Sequence, residues 1–256
     1  MPFFSKAESG RFMSAFHSRI VTLEDNVLFL HIPKSGGGSV ERMFVAGGWD
    51  MEGHDPDSGV ATQHAVYDYW SQWLYVYNVS EIFAIVRDPV DRLRSHLRGH
   101  MDPANPYSSF EDYINTLEKY LLCTELHSFY RDNHIRPQVD FLPPSSLIHN
   151  DVLIIPLPVD RYTHLDRLDS RPLLPLSDGK ILVTDHIPLK VYRFEDPAHR
   201  EAIRTKYAPG APFPHVSAPP PLEWDDYELP HTTLKKIYKF YKEDYDRFDY
   251  APPPGV

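Results

Sequence analysis

Residues 27–44 read VLFLHIPKSGGGSVERMF. A short apolar run ends at Pro33, passes Lys34 and three glycines, and resumes with helical spacing. The run predicts a buried strand over 27–32, and the glycines predict a loop that opens a helix over 37–46. Glycine lets a backbone approach a ligand closely, and a helix start offers N–H groups to an anion. Lys34 stands at the entrance of that loop.

Working outward, EIFAIVRDP (81–89) is the second clear strand. Asp88 can cap a helix and Pro89 suits its first position, so DPVDRLRSHLRGH should turn straight into one. The Gly-, Asp- and Pro-rich stretch 48–63 reads as a loop, and HAVYDYWSQWLYVY (64–77) as a short aromatic helix. Apolar spacing over 110–132 predicts a long helix. VLIIPLPV (152–159), KILVTD (180–185) and LKVYRF (189–194) read as three further strands. Residues 208–230 are dominated by proline and read as an irregular crossing. One amphipathic helix is expected over 231–248, followed by a proline-rich tail, 249–256. There is no internal repeat. Strands alternating with helices predict an α/β fold around a central, largely parallel sheet flanked by helices. The chain reads as one domain, 1–256, with its core at about 26–248.

Composition narrows the function. The 256 residues suffice for a real core, and a net charge of −10 argues against general nucleic-acid binding. The single cysteine, Cys123, cannot form an internal disulfide and reads as a buried small hydrophobe. No stretch approaches the roughly 18 apolar residues of a membrane span, and the first 26 residues are too polar for a signal peptide. The expectation is a cytoplasmic protein with no membrane partner. Asn78-Val79-Ser80 would matter as a glycosylation site only in a secretory protein. Oligomeric state is not readable.

In an α/β sheet, ligands bind at the carboxyl ends of strands. Both the glycine loop and the Arg-Asp-Pro turn lie at such ends. The loop is no Walker A sequence, because Lys34 precedes the glycines and no Lys-Ser/Thr follows them. N–H groups of 35–39 can still form an anion nest.

The pair HIPKSGGGS (31–39) and FAIVRDPVDRLRS (83–95) resembles the carbohydrate branch of sulfotransferases that use 3′-phosphoadenosine 5′-phosphosulfate (PAPS), whose loop typically reads HIPKTGGTS. The resemblance covers about residues 27–100. It is faint at RPQVDFL (136–142) and VYRFED (191–196). It implies a P-loop-type three-layer fold and sulfuryl transfer from PAPS to a hydroxyl of a carbohydrate or other small polar acceptor, without a metal. Lys34, Ser35, Gly36, Gly37, Gly38 and Ser39 would hold the 5′-phosphosulfate, and Arg87 with Ser95 the 3′-phosphate. Gly38 stands where the family usually has threonine, leaving Ser35 and Ser39 to compensate. Heparan sulfate 6-O-sulfotransferases are similar at TQHAVYDYW (62–70), which implies His64 as the base that takes the acceptor's proton. The 2-O-sulfotransferases belong to the same branch. Lys34 would stabilise charge developing on the phosphate oxygens.

Each residue also has a plainer reading. Arg87 can pair with Asp88 or Asp91, Ser95 can be a solvated helix serine, and His64 is one of 14 histidines. Arg92 can serve packing as readily as a ligand. Asp68 lies one turn beyond His64, where it can orient the imidazole or face solvent. His96 and His100 are one turn apart without a third metal ligand, so they read as cleft or surface residues. Tyr67, Tyr69, Trp70, Trp73, Tyr75 and Tyr77 can stack a sugar, although core packing accounts for most of them. Two other functions compete. A kinase using ATP and magnesium would take ILVTD, ending at Asp185, as its metal-holding strand. A sulfotransferase-like protein without catalysis would bind the donor only.

Overall fold

The structure, a computed structural model, describes residues 3–6, 26–52, 64–71, 79–99, 109–124, 133–149, 152–157, 173–175, 181–214 and 227–256. Eight strands form one sheet: β1 (Phe3–Lys6), β2 (Asn26–Leu30), β3 (Trp49–Glu52), β4 (Val79–Val86), β5 (Ile148–His149), β6 (Val152–Leu157), β7 (Leu173–Pro175) and β8 (Ile181–Arg193). Their order is β3-β1-β2-β4-β8-β6-β5, with β7 also on β8. The central trio β2, β4 and β8 is parallel, and the outer pairings are antiparallel. Helices are α1 (Gly37–Ala46), α2 (Tyr67–Trp70), α3 (Pro89–Gly99), α4 (Phe110–Thr124), α5 (Pro197–Tyr207), α6 (His231–Phe240) and α7 (Lys242–Phe248). The molecule is α/β, as expected, but the sheet is not largely parallel: two of the strand pairings are parallel and five antiparallel.

The central strands read as continuous apolar runs because both faces are covered. Leu28, Leu30, Ile82, Ala84 and Val86 pack on one side with Val66, Trp70 and the 3-10 turn Gln138–Phe141. Val27, Phe29, Phe83 and Ile85 pack on the other against α1 and α5. A third cluster joins α3, α4, α6 and α7 through Leu97, Leu117, Ile237 and Tyr241. Asp88 caps α3 as its sequence indicates, its Oδ1 accepting from the N–H groups of Val90 and Asp91 at 2.9 and 3.0 Å.

Three further expectations are corrected. The segments 180–185 and 189–194 belong to one thirteen-residue strand, β8. Pro188 reads as a break because it has no N–H to give a ladder. It stands where β8 changes partner, opposite Val152 of antiparallel β6, just before Leu189 pairs with Ile82 of parallel β4. The helix over 231–248 is two helices, since Tyr241 leaves helical geometry at φ −101° and ψ 22°. Ile237, Tyr241, Tyr245 and Phe248 stay in phase across the break, so periodicity does not register it. Within 48–63, Trp49–Glu52 is a strand on β1 rather than loop. Its two carboxylates hide it from an apolar-run reading.

The long helix is described to Thr124 and the aromatic helix over Tyr67–Trp70. Residues 53–63, 72–78, 125–132, 158–159 and 215–226, with Trp73, Tyr75, Tyr77, Asn78 and His100, lie outside the described residues. Over the last residues, Pro253 is buried and Tyr250 packs against two of the clusters. No described helix is long and apolar enough to cross a membrane.

Candidate anion site

The loop after β2 alternates in backbone hand. Lys34 has φ 65° and Gly36 φ 91°, whereas Ser35 between them and Gly37 after them do not have positive φ. Such alternation turns successive N–H groups toward one point and makes an anion-binding concavity. The N–H groups of Gly36, Gly37 and Gly38 make no hydrogen bond among the described residues. The glycines at 36 and 37 are required by close approach. A Cβ on Gly36 would lie 2.6 Å from the Phe194 ring, and one on Gly37 would lie 2.1 Å from the His31 ring. Ser35 is fully buried, its hydroxyl donating to the Ile32 carbonyl at 2.6 Å, so its side chain serves the loop's shape. Ser39 and Gly38 are half-buried in the first turn of α1.

Arg87 follows β4 and reaches this loop. Its Nη1 donates to the Lys34 carbonyl at 3.3 Å, and its guanidinium lies over Phe194, 4.7 Å from the ring centroid. Its buried Nε has no hydrogen-bond partner among the described residues. Burial pulls the Arg87 pKa down; Asp91 opposes this most, followed by Glu195, and Arg98 reinforces it. Asp91 and Arg98 bracket Ser95 on one face of α3, at spacings of four and three residues. Ser95 itself is half-buried on α3. Lys34 is half-buried, and desolvation lowers its pKa.

Arg92 resolves toward structure. It is fully buried, donating from Nε to the Pro33 carbonyl at 2.9 Å, from Nη1 to that of Arg136 at 2.8 Å and from Nη2 to that of His134 at 3.0 Å. It therefore clamps the loop to the 133–141 segment. That segment holds Arg87 in turn. The Gln138 side chain accepts from the Arg87 N–H at 2.9 Å and donates to the Arg87 carbonyl at 2.8 Å. Asp244 of α7, fully buried, accepts from the backbone N–H groups of Gln138 and Val139, each at 2.9 Å. Burial raises the Asp244 pKa, against the opposing pull of Arg92 and these N–H groups.

His64 is half-buried beside the loop. Its ring meets His31 and His134 edge-on, with centroids 4.8 Å apart in each case, and its carbonyl accepts from Asn133 Nδ2 at 3.0 Å. His96 is buried, with Nδ1 3.4 Å from His134 Nδ1. Asp68 is exposed and Trp70 is core. No metal-ligating group of three or more His, Cys, Asp or Glu occurs among the described residues. A cleft of about 580 Å³ opens beside α2, lined among others by Tyr67, Asp68, Arg136, Asp140, Glu243 and Arg247. None of residues 34–39, His64, Arg87 or Ser95 lines it, so it adjoins the loop site without containing it.

The structure thus brings Lys34, the glycine loop, Arg87 and His64 to one edge of the parallel trio. It adds Gln138, Phe194, His31 and His134, for which single residues carried little signal. Gln138 and Phe194 do fall in RPQVDFL and VYRFED, the two segments of faint resemblance. Asp185 lies within β8, eight residues before its carboxyl end, where the strand pairs with the antiparallel side of the sheet. Comparison of the chain with protein-family profiles, curated proteins and solved structures found no match.

Proposed function

We propose that this protein is a PAPS-dependent sulfotransferase of P-loop-type architecture, acting on a hydroxyl of a carbohydrate or other small polar acceptor. The observation that carries the reading is the joining of two anion-binding elements. The alternating-hand loop at 34–37 and the Arg87 guanidinium are tied by a direct hydrogen bond at the carboxyl ends of adjacent parallel strands. A donor bearing a 5′-phosphosulfate and a separate 3′-phosphate needs such a pair. The loop N–H groups and Lys34 fit the first group, and Arg87 with the Ser95 face of α3 fits the second.

In this reading His64 takes the proton as the acceptor oxygen attacks sulfur, the S–O bond to the leaving bisphosphate breaks, and Lys34 with the loop meets the charge that develops there. The acceptor would enter from the cleft beside α2. There Asp68, Asp140, Glu243 and Asp246 outnumber Arg136 and Arg247, which favours a neutral or cationic acceptor over a polyanion. The kinase alternative is disfavoured by the position of Asp185, remote along β8 from the loop edge.

Calorimetric titration with adenosine 3′,5′-bisphosphate, against ADP plus magnesium, tests the proposal. Binding of the bisphosphate that is lost in Arg87→Ala supports it. Preference for ADP and magnesium overturns it in favour of phosphoryl transfer. Bisphosphate binding with no turnover across hydroxyl acceptors would leave a donor-binding protein.

A further inference from the structure

Four imidazoles form a row along the edge of the sheet: His31, His64, His134 and His96. One end of the row is anchored. His31 Nδ1 lies 2.5 Å from Oε1 of Glu41 on α1, and both side chains are largely buried. A carboxylate only accepts, so this contact places a proton on Nδ1 of His31 and fixes its tautomer. The ring is held on its other sides as well. Phe29 stacks on it with centroids 5.7 Å apart, and its Cδ2 and Nε2 edge sits where a side chain on Gly37 would be. Its ring then meets His64 edge-on.

We propose that His31 and Glu41 are positioning residues for His64, Glu41 fixing the tautomer and rotamer of His31 and His31 fixing the plane and hydrogen-bonding edge of His64. The role of base for His64 rests on the sulfotransferase reading, whereas the coupling of the three side chains does not. His134 also meets His64 edge-on, and Arg92 holds its carbonyl. The glycine at 37 thereby acquires a second use, since it admits both an anion and the His31 ring at the start of α1. Among the described residues, the charged and titratable groups around the row include Glu41 from α1, His96 and Arg92 from α3 and His134 from the segment before the 3-10 turn. A pH effect must be read against all of them.

The test is ¹⁵N spectroscopy of the histidine rings in the full chain, which reports tautomer and titration without turnover. In the unaltered protein, His31 is expected as the Nδ1–H form at neutral pH. In Glu41→Gln, the His64 titration midpoint is expected to move by about half a pH unit or more. Glu41→Asp should recover part of that shift. A bare Nδ1 on His31 in the unaltered protein would overturn the proposal without any variant. So would an unchanged His64 titration in folded Glu41→Gln. Failure of the sulfotransferase reading would show separately, as absence of bisphosphate binding to the unaltered protein.

Discussion

The two ends of β4 treat charge in opposite ways. At the amino end, buried Glu81 takes hydrogen bonds from Lys206 through both carboxylate oxygens, and Lys190 stands 3.9 Å away. Just past the carboxyl end, Arg87 contacts a backbone carbonyl and an aromatic face, with no carboxylate at ion-pair distance among the described residues. The first charge is closed upon itself and serves the fold. The second makes direct contacts only to neutral groups among the described residues, with Asp91 and Glu195 acting on it from a distance. That difference separates a charge spent on the fold from a candidate binding charge more clearly than residue type does.

The largest effect should come from the arginine that belongs to the fold despite lying in the site motif. Arg92→Ala strands the buried Pro33 carbonyl and the partly buried carbonyls of Arg136 and His134, so urea unfolding should show a loss of about 3–5 kcal/mol. A loss below 1 kcal/mol would mean the clamp is dispensable. Arg87→Ala should instead leave the unfolding midpoint nearly unchanged while weakening bisphosphate binding by ~100-fold, about 2.7 kcal/mol. Equal effects on stability and binding would erase the contrast between the two ends. Lys206→Met, at the opposite end, should cost about 1 kcal/mol, since Lys190 still faces Glu81, and should not alter bisphosphate affinity.

The smallest effect concerns Lys34. Burial lowers its folded-state pKa, so the folded chain releases this proton more readily than the unfolded one. Its charge therefore opposes folding at neutral pH, and stability rises with pH between the folded pKa and the ordinary lysine value. Lys34→Met should raise stability slightly at pH 7, with the gain vanishing above about pH 10.4. Parallel urea titrations at pH 7 and above pH 10 would show it, and a variant less stable at pH 7 would contradict the sign.

Much of the parallel centre was legible because its signals are local. An apolar run ending at Pro33, and an Asp-Pro pair capping α3, report on neighbours a few residues away. Gln138 and Asp244 were silent because their partners are 51 and 106 residues distant. The break at Tyr241 was hidden for a related reason. Its hydroxyl donates to the Ile135 carbonyl at 2.6 Å, a tertiary contact that bends the chain without disturbing the apolar phase. Charge identity misled as well. Arg92 looks like a ligand residue in the motif, and only its burial shows that its donors are spent on backbone.

The link from Asp244 through Gln138 to Arg87 bears on which parts of the site can open. The Arg87 amide is sealed by contacts that bridge β4, the 3-10 turn and α7, so no local fluctuation frees it alone. Its hydrogen exchange should require an opening close in free energy to global unfolding. The Gly37 and Gly38 amides, without a hydrogen bond among the described residues, should exchange orders of magnitude faster. An anion docking there should slow exchange on the loop alone, a footprint a few residues wide against a wall that is already silent.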